Sequence, residues 1–186
     1  MSIRKILTYP NPFLRESAQD VANITGDTVQ WIDDMVQTMY AAPGVGLAAL
    51  QVGLDERIIV VDVGEAEEEE AERGKHLIRI VNPVIVEAEG EVVWEEGCLS
   101  VIDFKAEVTR ANHILVKGYD PDQKEVAIEA EGLLAVALQH EIDHLDGRLF
   151  IDHLSRLKRD MYTKRVRKAL REGRPIARDR DEDGED

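Results

Sequence analysis

At 186 residues, 44% hydrophobic and 33% charged, the chain has the length and balance of one globular domain with its own core. Its apolar runs fall short of the roughly 18 residues a membrane span needs, and MSIRKILTYPNP at the start is neither a secretory nor an organelle leader, which makes the cytoplasm the expected location. Much of the formal charge of −15 sits in two blocks, residues 65–72 with six glutamates and residues 179–186 with six acids against Arg180, so it says little about partners.

In chain order, Pro10 and Pro12 flank Asn11 in a turn-prone start. Residues 28–40 place Val29, Ile32, Met35, Val36 and Met39 at helical spacing, and Pro43 with Gly44 ends that helix. Gly44-Val45-Gly46-Leu47-Ala48-Ala49 reads as a loop. Residues 57–63 are β-branched and predict a buried strand. The acidic run at 65–72 reads as a solvated surface insertion. Further strands are expected at 77–81, 84–87, 89–93, 106–108, 114–119 and, past the turn Asp120-Pro121-Asp122, at 125–129. The strongest helix covers 131–146 with Gly147 as its stop, and a second covers 155–171 ahead of Gly173 and Pro175. This order predicts an α+β fold: mixed or antiparallel strands around a central helix, with a C-terminal helix. Residues 1–170 form the expected single domain, and 171–186 an acidic, disordered tail.

Chemistry concentrates in His140-Glu141-Ile142-Asp143-His144. Helical residues four apart share a face, so two imidazoles can hold one metal ion with Glu141 close enough to act as a base. Two ligands are not enough, because a catalytic zinc-type centre has three and an open position. Downstream, Phe150 stands where an astacin-like extension would place a third histidine, and His153 comes three positions late. No glutamate suited to thermolysin-like ligation follows. The third ligand is therefore expected upstream, where Cys98 in Glu95-Glu96-Gly97-Cys98-Leu99-Ser100 offers a thiolate for a soft or borderline cation. A lone cysteine is more often a small buried hydrophobe, so Cys98 alone decides nothing. Being the only cysteine, it excludes an intrachain disulfide and fits a reducing compartment. Leu133, Val136 and Ala137 share the His140 face and either line an apolar groove or pack the core, while Gln139 and Glu141 turn aside.

Three segments taken together resemble the peptide deformylase family: Gly44-Val45-Gly46-Leu47-Ala48-Ala49-Leu50-Gln51, Glu96-Gly97-Cys98-Leu99-Ser100 and Gln139-His140-Glu141-Ile142-Asp143-His144. Similarity runs from the N-terminus to about Lys168. The resemblance implies one divalent metal ion on Cys98, His140 and His144, with Fe(II) as native ion and zinc, nickel or cobalt as substitutes. It implies hydrolysis of N-formylmethionyl peptides to release formate, an attack on a linear amide and not on a peptide bond. Glu141 would be the general base, then the acid. The Gln51 amide and the Leu99 backbone N–H would donate to the developing oxyanion. Val45, Gly46 and Gly97 would contact the substrate backbone, and Leu133, Val136, Ala137 and Trp94 would line a methionine pocket. Glu96 is expected to support the site through Arg110. Ile102-Asp103 stand where the family often has proline, and Lys105 where it has arginine, which bears on loop shape and on contacts to later substrate residues.

Two other classes compete. One is a metallopeptidase built on the same helix, and the other a non-enzymatic module docking on the ribosome through its basic helix. Residues 156–178 carry ten Lys/Arg against Asp160 and Glu172. They read as a solvated amphipathic helix with Leu157, Met161 and Leu170 inward, or as a weak, salt-sensitive ribosome contact. A monomer without membrane association is expected.

Overall fold

Thr25 opens helix α1 (Gly26–Ala41): its hydroxyl accepts from the Thr28 N–H while the Thr28 hydroxyl accepts from the Thr25 N–H. The computed structural model describes residues 2–64 and 74–176, so the expectations for 65–72 and 179–186 lie outside the described residues. Ile32, Met35, Val36 and Met39, the spacing read as helical, are buried against strand β2 (Ile58–Val61). Along β2 the side chains alternate. Ile58 and Val60 meet α1, while Ile59 and Val61 meet Leu138, Ile142 and Leu145 of helix α2 (Gly132–Leu145). All four are fully buried, each contributing about 1.5–3 kcal/mol by leaving water.

The stretch read as a loop at 44–49 is partly strand. Gly46–Ala48 forms β1, pairing antiparallel with β2 at Gly46↔Val61 and Ala48↔Ile59, after which Ala49–Val52 makes one 3₁₀ turn. Strand β3 (Ile78–Glu89) joins the two segments expected at 77–81 and 84–87. It is irregular at Asn82-Pro83, where the ladder shifts register and Asn82 has φ 52°. The Asn82 side chain accepts from Val21 N–H and donates to its carbonyl, standing in for a neighbouring strand. The strand expected at 89–93 is split by a turn at Gly90-Glu91, Gly90 having φ 66°: Glu89 closes β3, and Val92 and Val93 open β4 (Val92–Cys98). The short strand expected at 106–108 belongs to a longer β5 (Val101–Arg110).

Strands β6 (His113–Tyr119) and β7 (Glu125–Glu131) complete a five-stranded sheet in the order β1-β2-β3-β6-β7, and β4 with β5 forms a separate hairpin. Every named pairing is antiparallel, which resolves the mixed-or-antiparallel alternative in an α+β fold. Gly147 ends α2 at φ 69°, and a Cβ there would meet the Arg15 and Glu16 carbonyls at 2.6 and 2.7 Å, so two constraints select glycine.

Helix α3 (Arg156–Glu172) starts on Ser155 and runs two residues into the segment set aside as tail. Its buried stripe is Tyr162, Val166 and Ala169, whereas Leu157, Met161 and Leu170, expected inward, are exposed. The Tyr162 ring, stacked on Phe104 at 4.7 Å, takes the inner face and sets that rotation. Among the described residues no helix is long and apolar enough to cross a membrane.

Candidate active site

The β4–β5 hairpin turns through Leu99 and Ser100, and its ladder slips after Gly97 so that Cys98 pairs with Val101. This places the thiol beside α2, with Sγ 3.2 Å from His144 Nε2. One ligand atom from each of Cys98, His140 and His144 lies within 4.8 Å of the others, the arrangement a metal ion needs. Tetrahedral coordination at ordinary bond lengths separates such donors by about 3.5 Å, so the set fits a single cation. Cys98 is half-buried, and both histidines are buried.

Each imidazole has a distinct electrostatic setting. His140 Nδ1 lies 2.7 Å from Glu96 Oε2, which leaves Nε2 as its free ligand atom. Burial opposes charge on His140, but Cys98, Glu96 and Glu141 outweigh it and raise its pKa well above the ordinary value. Burial together with the His140 charge pushes His144 well below that value. Glu96 is clamped by Arg110, with Nε donating to Oε1 at 2.7 Å and Nη2 to Oε2 at 3.1 Å. The expected Glu96–Arg110 pair is therefore present, and both side chains are buried.

Glu141 was expected to turn aside from the groove, but it lines the cleft. Its Oε2 is buried with no hydrogen-bond partner among the described residues. Burial raises its pKa to about 7, with His140 and Arg110 opposing and Glu96 adding to the effect. A carboxyl so placed exchanges protons near neutrality. Gln51 is buried on the turn after β1: Oε1 accepts from Ala48 N–H at 2.8 Å, and Nε2 donates to Ser100 Oγ at 3.0 Å and approaches Cys98 Sγ at 3.6 Å.

A cleft of about 450 Å³ brings these groups together. Gln51, Leu99, Cys98, His140 and Glu141 line it, as do Val45, Gly46, Trp94, Gly97, Leu133, Val136 and Ala137, every residue assigned to substrate contact from the sequence. His144 lies beneath, absent from the lining. Pro43 and Glu95 also line the cleft and were missed, and Lys105, noted only as a family departure, is there too. Gln139, which does turn aside, bonds both the N–H and the carbonyl of Ala111 and so ties α2 to the end of β5.

Neither downstream alternative supplies a ligand. Phe150 packs on the His140 ring at 6.1 Å, and His153 contacts Asp143. Both lie outside the donor set, against residues of α2, which helical spacing could not reveal.

A helix carrying two histidines and a buried carboxylate, with a thiol completing the donor set at the end of an apolar cleft, defines the class of mononuclear metal-dependent hydrolases. A family model described as polypeptide deformylase matches residues 3–160. The chain belongs to the polypeptide deformylase family. It is 51% identical over 172 residues to a peptide deformylase of Syntrophobacter fumaroxidans, covering 92% of this chain and 98% of the relative. It is 48% identical over 172 residues to one of Rhizobium meliloti, covering 92% and 96%. Among solved structures, a peptide deformylase from Legionella pneumophila has a TM-score of 0.81 at 45% identity, covering 92% of this chain and 98% of that one. One from Ehrlichia chaffeensis in complex with actinonin reaches 0.84 at 40% identity, covering 92% and 99%. The family depends on a metal ion, and the three-residue group is where this chain could hold one.

Proposed function

We propose that this chain removes the formyl group from N-formylmethionyl peptides, releasing formate. The observation that carries this reading is the convergence of Cys98, His140 and His144 on one point beside Glu141, at the end of an apolar cleft. Cys98, His140 and His144 would hold one divalent ion, Fe(II) in the cell, with zinc, nickel or cobalt able to replace it. Bound there, such an ion would supply Lewis acidity and lower the pKa of water from about 15.7 towards 7.

The rest of the chemistry belongs to the chain. Glu141, with one carboxylate oxygen unengaged, takes a proton from the attacking water and returns it to the departing amine. Gln51 Nε2 and the Leu99 N–H donate to the formyl oxygen as the carbon becomes tetrahedral, and losing one such donor costs about 3 kcal/mol of barrier. Leu133, Val136, Ala137 and Trp94 receive the unbranched methionine side chain. Val45, Gly46 and Gly97 offer backbone to an extended peptide.

The test is formate release from formyl-Met-Ala. The reading expects formate with the Met-Ala bond intact, and loss of activity in Glu141→Gln. Cleavage of the Met-Ala bond would favour a peptidase, and unchanged activity in Glu141→Gln would remove the proposed base.

Residues 1–170 are proposed as one catalytic domain, a cytoplasmic monomer. Its basic segment, residues 156–178, is proposed to touch the ribosome weakly where substrates emerge. Absence of co-pelleting with ribosomes at low salt would exclude that contact.

A further inference from the structure

His153 stands at the surface end of a series of charged hydrogen bonds whose inner end is His140. Its Nε2 lies 2.7 Å from Asp143 Oδ2, the oxygen that also accepts from Arg110 Nη1 at 2.5 Å. Arg110 continues to Glu96, and Glu96 to His140 Nδ1. The Arg110 and Glu96 side chains are 4% and 3% exposed, whereas Asp143 and His153 are 15% and 32% exposed, so the series passes from core to solvent. His153 Nε2 is also 3.3 Å from Arg110 Nη1, the spacing of two donors that share one acceptor.

A guanidinium is a rigid planar fork, so the angle at which Arg110 meets Glu96 depends on where Asp143 holds its other arm. Asp143 has two donors on one oxygen, Arg110 from the core side and, among the described residues, His153 from the solvent side. The turn Phe150–His153 thus bears on His140 twice, with Phe150 against the ring face and His153 through the charged series.

We propose that His153 is a positioning residue of the metal site: by donating to Asp143 it fixes Arg110 and Glu96, and through them the orientation of His140. This rests on the reading that His140 is a metal ligand. The partner of a ligating histidine commonly sets metal affinity by 10- to 100-fold, and a residue further out exerts a smaller effect of the same kind.

The experiment is cobalt(II) titration of the metal-free protein against a competing chelator, for wild type, His153→Ala and His153→Gln. Melting temperatures of the metal-free forms are measured alongside. His153→Ala is expected to bind cobalt about 3- to 10-fold more weakly, with an altered cobalt absorption spectrum and a melting temperature near that of wild type. His153→Gln, which keeps an N–H donor, is expected to restore affinity to within about twofold. Unchanged cobalt affinity in His153→Ala would overturn the proposal, as would a glutamine variant as weak as the alanine one. A wild-type protein that binds no cobalt would overturn the metal reading itself, a separate outcome.

Discussion

Glu141 occupies the space that a side chain on Gly46 would need: a Cβ there would collide with the Glu141 carboxylate. Gly46 cannot retreat, because β1 is paired to β2 at Gly46↔Val61. Gly46→Ala is therefore expected to displace Glu141 while leaving the three metal-site residues in place. Since positioned acid–base groups contribute about 10²- to 10⁴-fold, formate release should fall by roughly 100-fold or more at unchanged metal content. Activity within twofold of wild type would show that Glu141 does not need this position.

Arg110 is the only cation joining two carboxylates beneath the site, Glu96 and Asp143, among the described residues. Burial opposes its charge, but Glu96 and Asp143 outweigh this and raise its pKa. Arg110→Ala leaves Glu96 buried with His140 as its remaining partner and strips Asp143 of its guanidinium, and urea unfolding should show a loss of about 3–5 kcal/mol. Replacing both partners, Arg110→Met with Glu96→Gln, should cost less than the single change. Equal costs would mean that stranded charge is not the cause.

Asp143 links stability to pH. Burial opposes its ionisation, but the hydrogen bond from His153 and the charge and hydrogen bond of Arg110 win, lowering its pKa to about 2. A folded-state pKa below the unfolded value of about 3.9 gives stabilisation that is complete above pH ~4 and lost as pH falls through ~2. The amount is on the order of 2 kcal/mol. The stability gap between wild type and Asp143→Asn should therefore narrow between pH 4 and pH 2 in unfolding of the metal-free protein. A gap constant across that range would assign the effect to packing.

How far the sequence could be read depended on whether each feature was local. His140, Glu141 and His144 were legible because helical spacing alone puts them together, and the buried positions of α1 followed from the same rule. Cys98 reached the site only by elimination and family resemblance, since the register slip in its hairpin is a property of the folded pair. The strand at Gly46–Ala48 was hidden because glycine and alanine on either side of Leu47 show no β signal; partners on β2 impose it. Asn82 and Pro83 fall between the two strands expected at 77–81 and 84–87, yet the Asn82 bonds to Val21 carry β3 through them. On α3, one stripe of apolar residues was mistaken for its neighbour because stacking between Tyr162 and Phe104 chooses the inner face. Asp143 and His153 are ten positions apart on different elements, and nothing in their spacing announces the bond between them.

X-ray absorption at the metal edge of protein purified without oxygen tests the shared cation most directly. The account predicts about one ion per chain, bound by one sulfur and two imidazole nitrogens, and loss of the sulfur shell in Cys98→Ser. A metal shell without sulfur in the wild type, alongside full formate-releasing activity, would contradict it.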